Sequence, residues 1–247
     1  GLTCDDTNFA VKAGSRAFEA AEKQGIAIVM PDTSPRGDDS VPNVDSYDLG
    51  IGAGFYLDAT EGPYSTHYHM YTYITRELPS VIKAEWGIGA IKGITGHSMG
   101  GHGALTIALK SPADWASVSA FSPICNPTKC PWGEKAFNAY LGSVEAGQAH
   151  DATWLLDQRC APIVEYDDIL IEQGTADEFL EGQLMLEAFK KAAEKCGQKV
   201  TISNRDGFDH SYHFIAAFIE SHVEFHGKRL RKKVQLARAE ILHDFSA

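Results

Sequence analysis

The sequence predicts an α/β protein with a mostly parallel central sheet and helices on both faces. Three observations carry this expectation. Apolar runs of strand length alternate with stretches whose apolar residues recur at helical intervals. One such run feeds directly into Gly96-His97-Ser98-Met99-Gly100, and a small-residue helix pattern follows at once. The chain has 247 residues and is 44% hydrophobic, enough for one large core.

In chain order, residues 7–24 read as a helix through Phe9, Ala13, Ala17, Ala20 and Ala21, stopped by Gly25. Residues 25–31 (GIAIVMP) are a continuous apolar run and predict a central parallel strand covered on both faces. Residues 32–54 are rich in Gly and Pro and read as a long, functional loop. A helix over 67–86 carries a kink or break before Pro79. Residues 91–95 and 116–122 are strands around a helix over 100–110. Residues 123–147 mix Pro127, Pro131 and Trp132 into an excursion over the sheet. A strand starts at 169–171 and ends near Gly174, followed by a helix over 182–196, a strand over 199–204 and a helix over 211–226. From Lys228 the tail turns basic and then amphipathic, an appended helix whose plain reading is a solvated surface.

The net charge of −11 argues against nonspecific nucleic-acid or membrane-surface binding, and no apolar stretch approaches a membrane span. Five cysteines without repeating spacing argue against a disulfide framework and suit a reducing, cytoplasmic compartment. The sequence does not start with Met, which leaves a signal peptide an open matter.

The G-x-S-x-G turn presents the Ser98 hydroxyl at a helix N-terminus, and glycines on both flanks are expected to avoid collisions there. A plain helix cap needs no such glycines. A serine nucleophile needs a base, and the base needs an acid to hold its tautomer, in the chain order serine, acid, histidine. Asp177 sits just past the carboxyl end of the 169–174 strand, where open α/β sheets place their sites. Glu178 is a poorer candidate, and Asp167 and Asp168 fall at the opposite end of the strand. Of ten histidines, His210 occupies the loop before the last core helix. His213 points along that helix, Asp209 serves as a cap, and His97 and His102 take structural roles. No metal site is expected: His67 and His69 face different ways, His222 and His226 lack a partner glutamate, and Cys125 and Cys130 have no second pair.

The blocks GLTCDDTNF, PDTSPRG, GAGFYLDAT, GHSMGGHGAL, SAFSPICNP, CPWGEKAF, QGTADEFL and GFDHSYHFI resemble the S-formylglutathione hydrolase (esterase D) family from Gly1 to about His226. The resemblance implies an α/β-hydrolase fold over residues 1–227, with strands before the Gly-Leu-Thr-Cys segment that this sequence lacks, and a basic extension over 228–247. It implies hydrolysis of S-formylglutathione to formate and glutathione, in formaldehyde detoxification, without cofactor or metal. It matches the triad to Ser98, Asp177 and His210 and the oxyanion donors to the N–H groups of Met99 and Leu2. It places Cys4 and Trp132 near the active site, alongside His97. The implied partner is a small-molecule substrate, and a homodimer is the assembly to expect. A broad carboxylesterase or acyltransferase of the same superfold, or a truncated non-catalytic interaction module, are the competing readings.

Overall fold

The computed structural model describes residues 1–37, 41–42 and 44–244, with only the helical backbone described for 240–244. Helix α1 (Asn8–Gln24) buries a stripe of Ala13, Gly14, Ala17, Ala20 and Ala21. Gly25 ends it in the left-handed region (φ 67°), and its N–H caps the carbonyls of Ala21 and Glu22. A short α2 (Met70–Thr72) passes through a π-helical turn (Tyr73–Glu77) into α3 (Leu78–Trp86). The break expected before Pro79 is this turn. Proline has no N–H to give the preceding turn, and a wider turn absorbs the loss.

Four parallel strands follow: β1 (Gly93–His97), β2 (Ser117–Phe121), β3 (Ile169–Gly174) and β4 (Val200–Arg205), in spatial order β1-β2-β3-β4. Gly93 aligns with Ser117, Ser119 with Leu170, and Ile169 with Val200. Between β1 and β2 runs α4 (Met99–Lys110), almost wholly buried. Between β2 and β3 come α5 (Pro131–Leu141), within the stretch read as an excursion, and α6 (Ala152–Asp157), which follows it. Helix α7 (Leu186–Cys196) joins β3 to β4, and α8 (Tyr212–Asp244) closes the chain. The basic tail continues α8 without interruption at residue 227. Arg231 of that tail donates to the backbone and side-chain oxygens of Gln24 at the end of α1.

One face of the sheet carries the main core with α4 to α7. On the other face α1 and α8 pair over a second core of Phe121, Phe214, Ile215, Ile219 and Val223. Fully burying one such side chain contributes roughly 1.5–3 kcal/mol. Helices on both faces of a parallel sheet are the expected architecture.

Residues 25–31 depart from expectation. After the left-handed Gly25 they take no regular structure and join no ladder among the described residues. Ile26 and Ile28 pack on the second core while Val29 is 45% exposed, so one face is covered rather than two. An apolar cavity of about 850 Å³ separates the run from the free edge of β1, lined by Ile28, Ile74, Ile94, Ile107, Ile219 and Val223 among others. An apolar run qualifies for a central strand only if backbone partners lie alongside it. That condition is not written in the run itself.

Candidate active site

The carboxyl ends of β1, β3 and β4 bring the predicted residues together. At the end of β1 the backbone turns sharply through Ser98 (φ 58°, ψ −117°) into α4. Such a conformation costs on the order of 1–3 kcal/mol for a non-glycine residue. It is held by Ser98 N–H donating to Phe121 O (2.9 Å) and by Ser98 O accepting from His102 N (2.9 Å) and Ile124 N (3.3 Å). Only one of the two flanking glycines is sterically required. A Cβ at Gly96 would strike the Gly100 carbonyl, but one at Gly100 would have no contact closer than Gly1 N at 3.8 Å. The crowding falls instead on Gly101, where an added Cβ would come within 2.8 Å of Pro123 Cβ, and on Gly103, where one would strike the Tyr56 ring. Two helix positions further on, α4 lies closest to its neighbours.

Asp177 follows β3 in a loop anchored by Thr175 N to Arg205 O and Ala176 N to Phe208 O, both 3.0 Å. Its Oδ1 accepts from Phe179 N (3.0 Å), and its Oδ2 accepts from Gln173 Nε2 (3.2 Å). His210 Nδ1–H donates to the same Oδ2 at 2.7 Å. Burial pushes the Asp177 carboxyl up, but the hydrogen bond and charge of His210 and the Phe179 N–H outweigh it, so its pKa falls below the ordinary value. The carboxylate therefore stays ionised and fixes the tautomer that leaves His210 Nε2 as the unprotonated ring nitrogen. The His210 side chain keeps 13% of its surface exposed, while that of Asp177 has none. His97, adjacent to Ser98, brings its ring centroid within 4.4 Å of the His210 ring, which places elbow and base in one site.

The Esterase family model matches residues 1–225. S-formylglutathione hydrolase of Rattus norvegicus is 48% identical over 233 residues, 93% of this chain and 81% of that protein. This chain belongs to the S-formylglutathione hydrolase family of esterases. A solved S-formylglutathione hydrolase from Agrobacterium tumefaciens superimposes with a TM-score of 0.87 at 42% identity, over 93% of this chain and 82% of that one. An S-formylglutathione hydrolase apoenzyme from Staphylococcus aureus, 19% identical with a TM-score of 0.65 over 92% and 81% of the two chains, shares the fold alone. The chain is thus a serine hydrolase of the esterase type, with an α/β-hydrolase fold.

The residues that the family resemblance adds make the following contacts. Met99, fully buried, opens α4 directly after Ser98. Gly1 lies beside the His97 ring, and Leu2 packs half-buried on the main core. Thr3 N donates to Gly52 O (2.9 Å), tying this segment to the Gly-rich loop. Cys4 Sγ meets Tyr212 Oη at 3.3 Å. Trp132, at the start of α5, stacks obliquely on Phe179 (4.7 Å), and its Nε1 donates to Tyr47 Oη (2.9 Å).

The residues set aside in the sequence lie away from this cluster or serve other ends. Glu178 and His213 are exposed. Asp209 accepts from Ser211 N (3.0 Å), as a cap does. Asp168 and Asp167, at the far end of β3, bind Thr201 and Arg229. His102 is buried with Nε2 on Phe55 O (3.0 Å). Among the described residues no three His, Cys, Asp or Glu side chains converge as metal ligands, and no helix is long and apolar enough to cross a membrane.

Sequence reasoning missed Phe179, Gln173 and Tyr47. Phe179 and Gln173 flank Asp177 in the QGTADEFL block, so their proximity was readable. Tyr47 reaches Trp132 across 85 residues, and nothing local signals that.

Proposed function

We propose that this esterase hydrolyses S-formylglutathione to formate and glutathione with Ser98 as nucleophile, His210 as base and Asp177 as the orienting acid. The observation that carries the roles is the 2.7 Å bond from His210 Nδ1 to the ionised Asp177, beside a serine held at positive φ. The substrate rests on the 48% identity to the rat enzyme.

Ser98 Oγ attacks the formyl carbon as its proton passes to His210 Nε2. Asp177 stabilises the imidazolium. The oxyanion is held by the N–H groups of Met99 and Leu2, and losing one such donor costs about 2.7–4 kcal/mol. Collapse of the tetrahedral intermediate breaks the C–S bond, and His210 returns the proton to the departing sulfur. The leaving thiol has a pKa near ~8.5, so it needs less proton assistance than an amine. Water, deprotonated by His210, then attacks the formyl ester on Ser98 and releases formate.

The aromatic wall of Trp132, Phe179 and Tyr47 suits a small acyl group. The substrate is anionic and the chain carries −11, so attraction is local rather than global. We assign the hydrolase to residues 1–227 and a basic helical extension to 228–247. All five cysteines are free, which suits the cytoplasm, and a homodimer is the assembly that sedimentation would test.

The test compares kcat/KM for S-formylglutathione, S-lactoylglutathione and a simple aryl acetate. A strong preference for the formyl thioester supports the assignment. Equal rates on all three sink it in favour of a broad carboxylesterase.

A further inference from the structure

We propose that His97 is a positioning residue that holds the ring plane of the base His210, an inference that rests on the triad reading above. Three observations place it there. The His97 ring centroid lies 4.4 Å from that of His210, with the planes 42° apart. Phe179 meets His210 from a second direction, edge-on at 5.0 Å and 79°. Both nitrogens of His97 are closed to solvent and have no hydrogen-bond partner among the described residues.

The hydrogen bond to Asp177 fixes one nitrogen of His210 and leaves the ring free to swing about that anchor. Nε2 must nevertheless point at the nucleophile, then at the leaving sulfur, then at water. Two aromatic walls restrict that swing. Each wall is tied to a different member of the triad. His97 is covalently next to Ser98 at the end of β1, and Phe179 donates its backbone N–H to Asp177 Oδ1 at 3.0 Å. The elements that fix nucleophile and acid therefore also fix the orientation of the base.

The unpaired nitrogens show which property of His97 the site uses. A buried imidazole with neither nitrogen bonded carries a desolvation cost that an apolar side chain would avoid. Hydrogen bonding is not what His97 supplies; its flat ring is. Burial, then the neighbouring His210 and the amino terminus of Gly1, lower the His97 pKa well below its usual value. It therefore presents a neutral face to His210 and adds no repulsive charge when His210 takes up the serine proton.

The experiment measures kcat and KM on S-formylglutathione for His97→Phe and His97→Leu, with thermal melts to establish folding. His97→Leu fills the space without a flat face and should lower kcat by about tenfold or more, with KM little changed. His97→Phe restores the face and should keep kcat within about threefold of the parent. Equal kcat for the two variants overturns the proposal, because space filling alone then suffices. Phe179→Leu, on the other wall, should show the same loss of kcat, and keeps the test open if His97→Leu does not fold; full kcat in that variant also overturns it. Ser98→Ala and His210→Ala serve as controls. Activity in either refutes the triad itself, whereas inactive controls beside a fully active His97→Leu refute only the positioning role.

Discussion

Two clusters of serine and histidine occupy this sheet, and only one has the parts of a catalyst. At the carboxyl ends of the strands, Ser98 and His210 stand with Asp177. Behind the sheet, Ser117 and Ser119 of β2 meet His222 and His226 of α8. His226 bonds Ser117 Oγ through Nδ1 (2.6 Å) and Ser119 Oγ through Nε2 (2.8 Å), and His222 Nδ1 bonds Ser119 Oγ (2.8 Å). By hydrogen-bond length alone the second cluster looks the better prepared. Among the described residues no carboxylate bonds it, however. The charged groups acting on it are the guanidiniums of Arg205 toward His222 and Arg229 toward His226, and Arg205 is itself paired with Glu172 (2.6 and 2.9 Å). Burial first, and then Arg229, push the His226 pKa down to about 3; burial, then the neighbouring His226 and Arg205, hold that of His222 well below its usual value. A base needs an anion to stabilise its protonated form and needs access to substrate. The inner pair has no such anion among the described residues and forms a polar joint between α8 and β2.

The comparison can be broken most decisively at the nucleophile. Ser98→Ala should reduce kcat by roughly 10⁶-fold, while Ser119→Ala should leave kcat within a small factor, both read by formate release. At the acid, Asp177→Asn should cost about 10⁴-fold in kcat by losing the tautomer that frees Nε2, with thermal stability little changed. At the inner joint the effect moves from activity to stability. His226→Ala leaves the buried Ser117 hydroxyl without its partner, removes one of the partners of Ser119 and opens a cavity, so urea unfolding should show a loss of about 2–4 kcal/mol with kcat unchanged.

The smallest expected effect concerns pH. His226 and His150 are lowered to about 3 and His102 to about 4 from 6.5, chiefly by burial. They are neutral when folded, and the unfolded chain takes up more protons below pH 6.5. Their share of stability is therefore intact above pH 6.5 and drains away as pH falls toward 4. The urea midpoint should drop across that window, and the drop should be shallower in His226→Ala. A flat midpoint from pH 7 to pH 5 would contradict the assignment of these rings as buried and neutral.

What could be read in the chain follows from the range of each interaction. The elbow and the pairing of Asp177 with His210 were legible because strand, turn and helix are contiguous around Ser98, and because Asp177 and His210 each follow a strand. The inner joint was not. Its partners are 103 to 109 residues apart, so His222 and His226 read only as an i, i+4 pair without a third ligand. Residues 25–31 show the same limit from the other side: apolar content marked the run for burial, but pairing depends on what lies alongside. The two flanking glycines of the elbow looked equivalent in sequence. Only Gly96 is crowded, because the turn folds the Gly100 carbonyl back onto it, while a side chain at Gly100 would meet nothing closer than Gly1.

The most direct measurement is peptide mapping of the adduct formed with a fluorophosphonate probe. A phosphonylated Ser98, with Ser117 and Ser119 unmodified and no labelling in Ser98→Ala, is the result expected if the carboxylate-backed cluster alone makes a nucleophile. Labelling at Ser117 or Ser119, or undiminished labelling of Ser98→Ala, would contradict it.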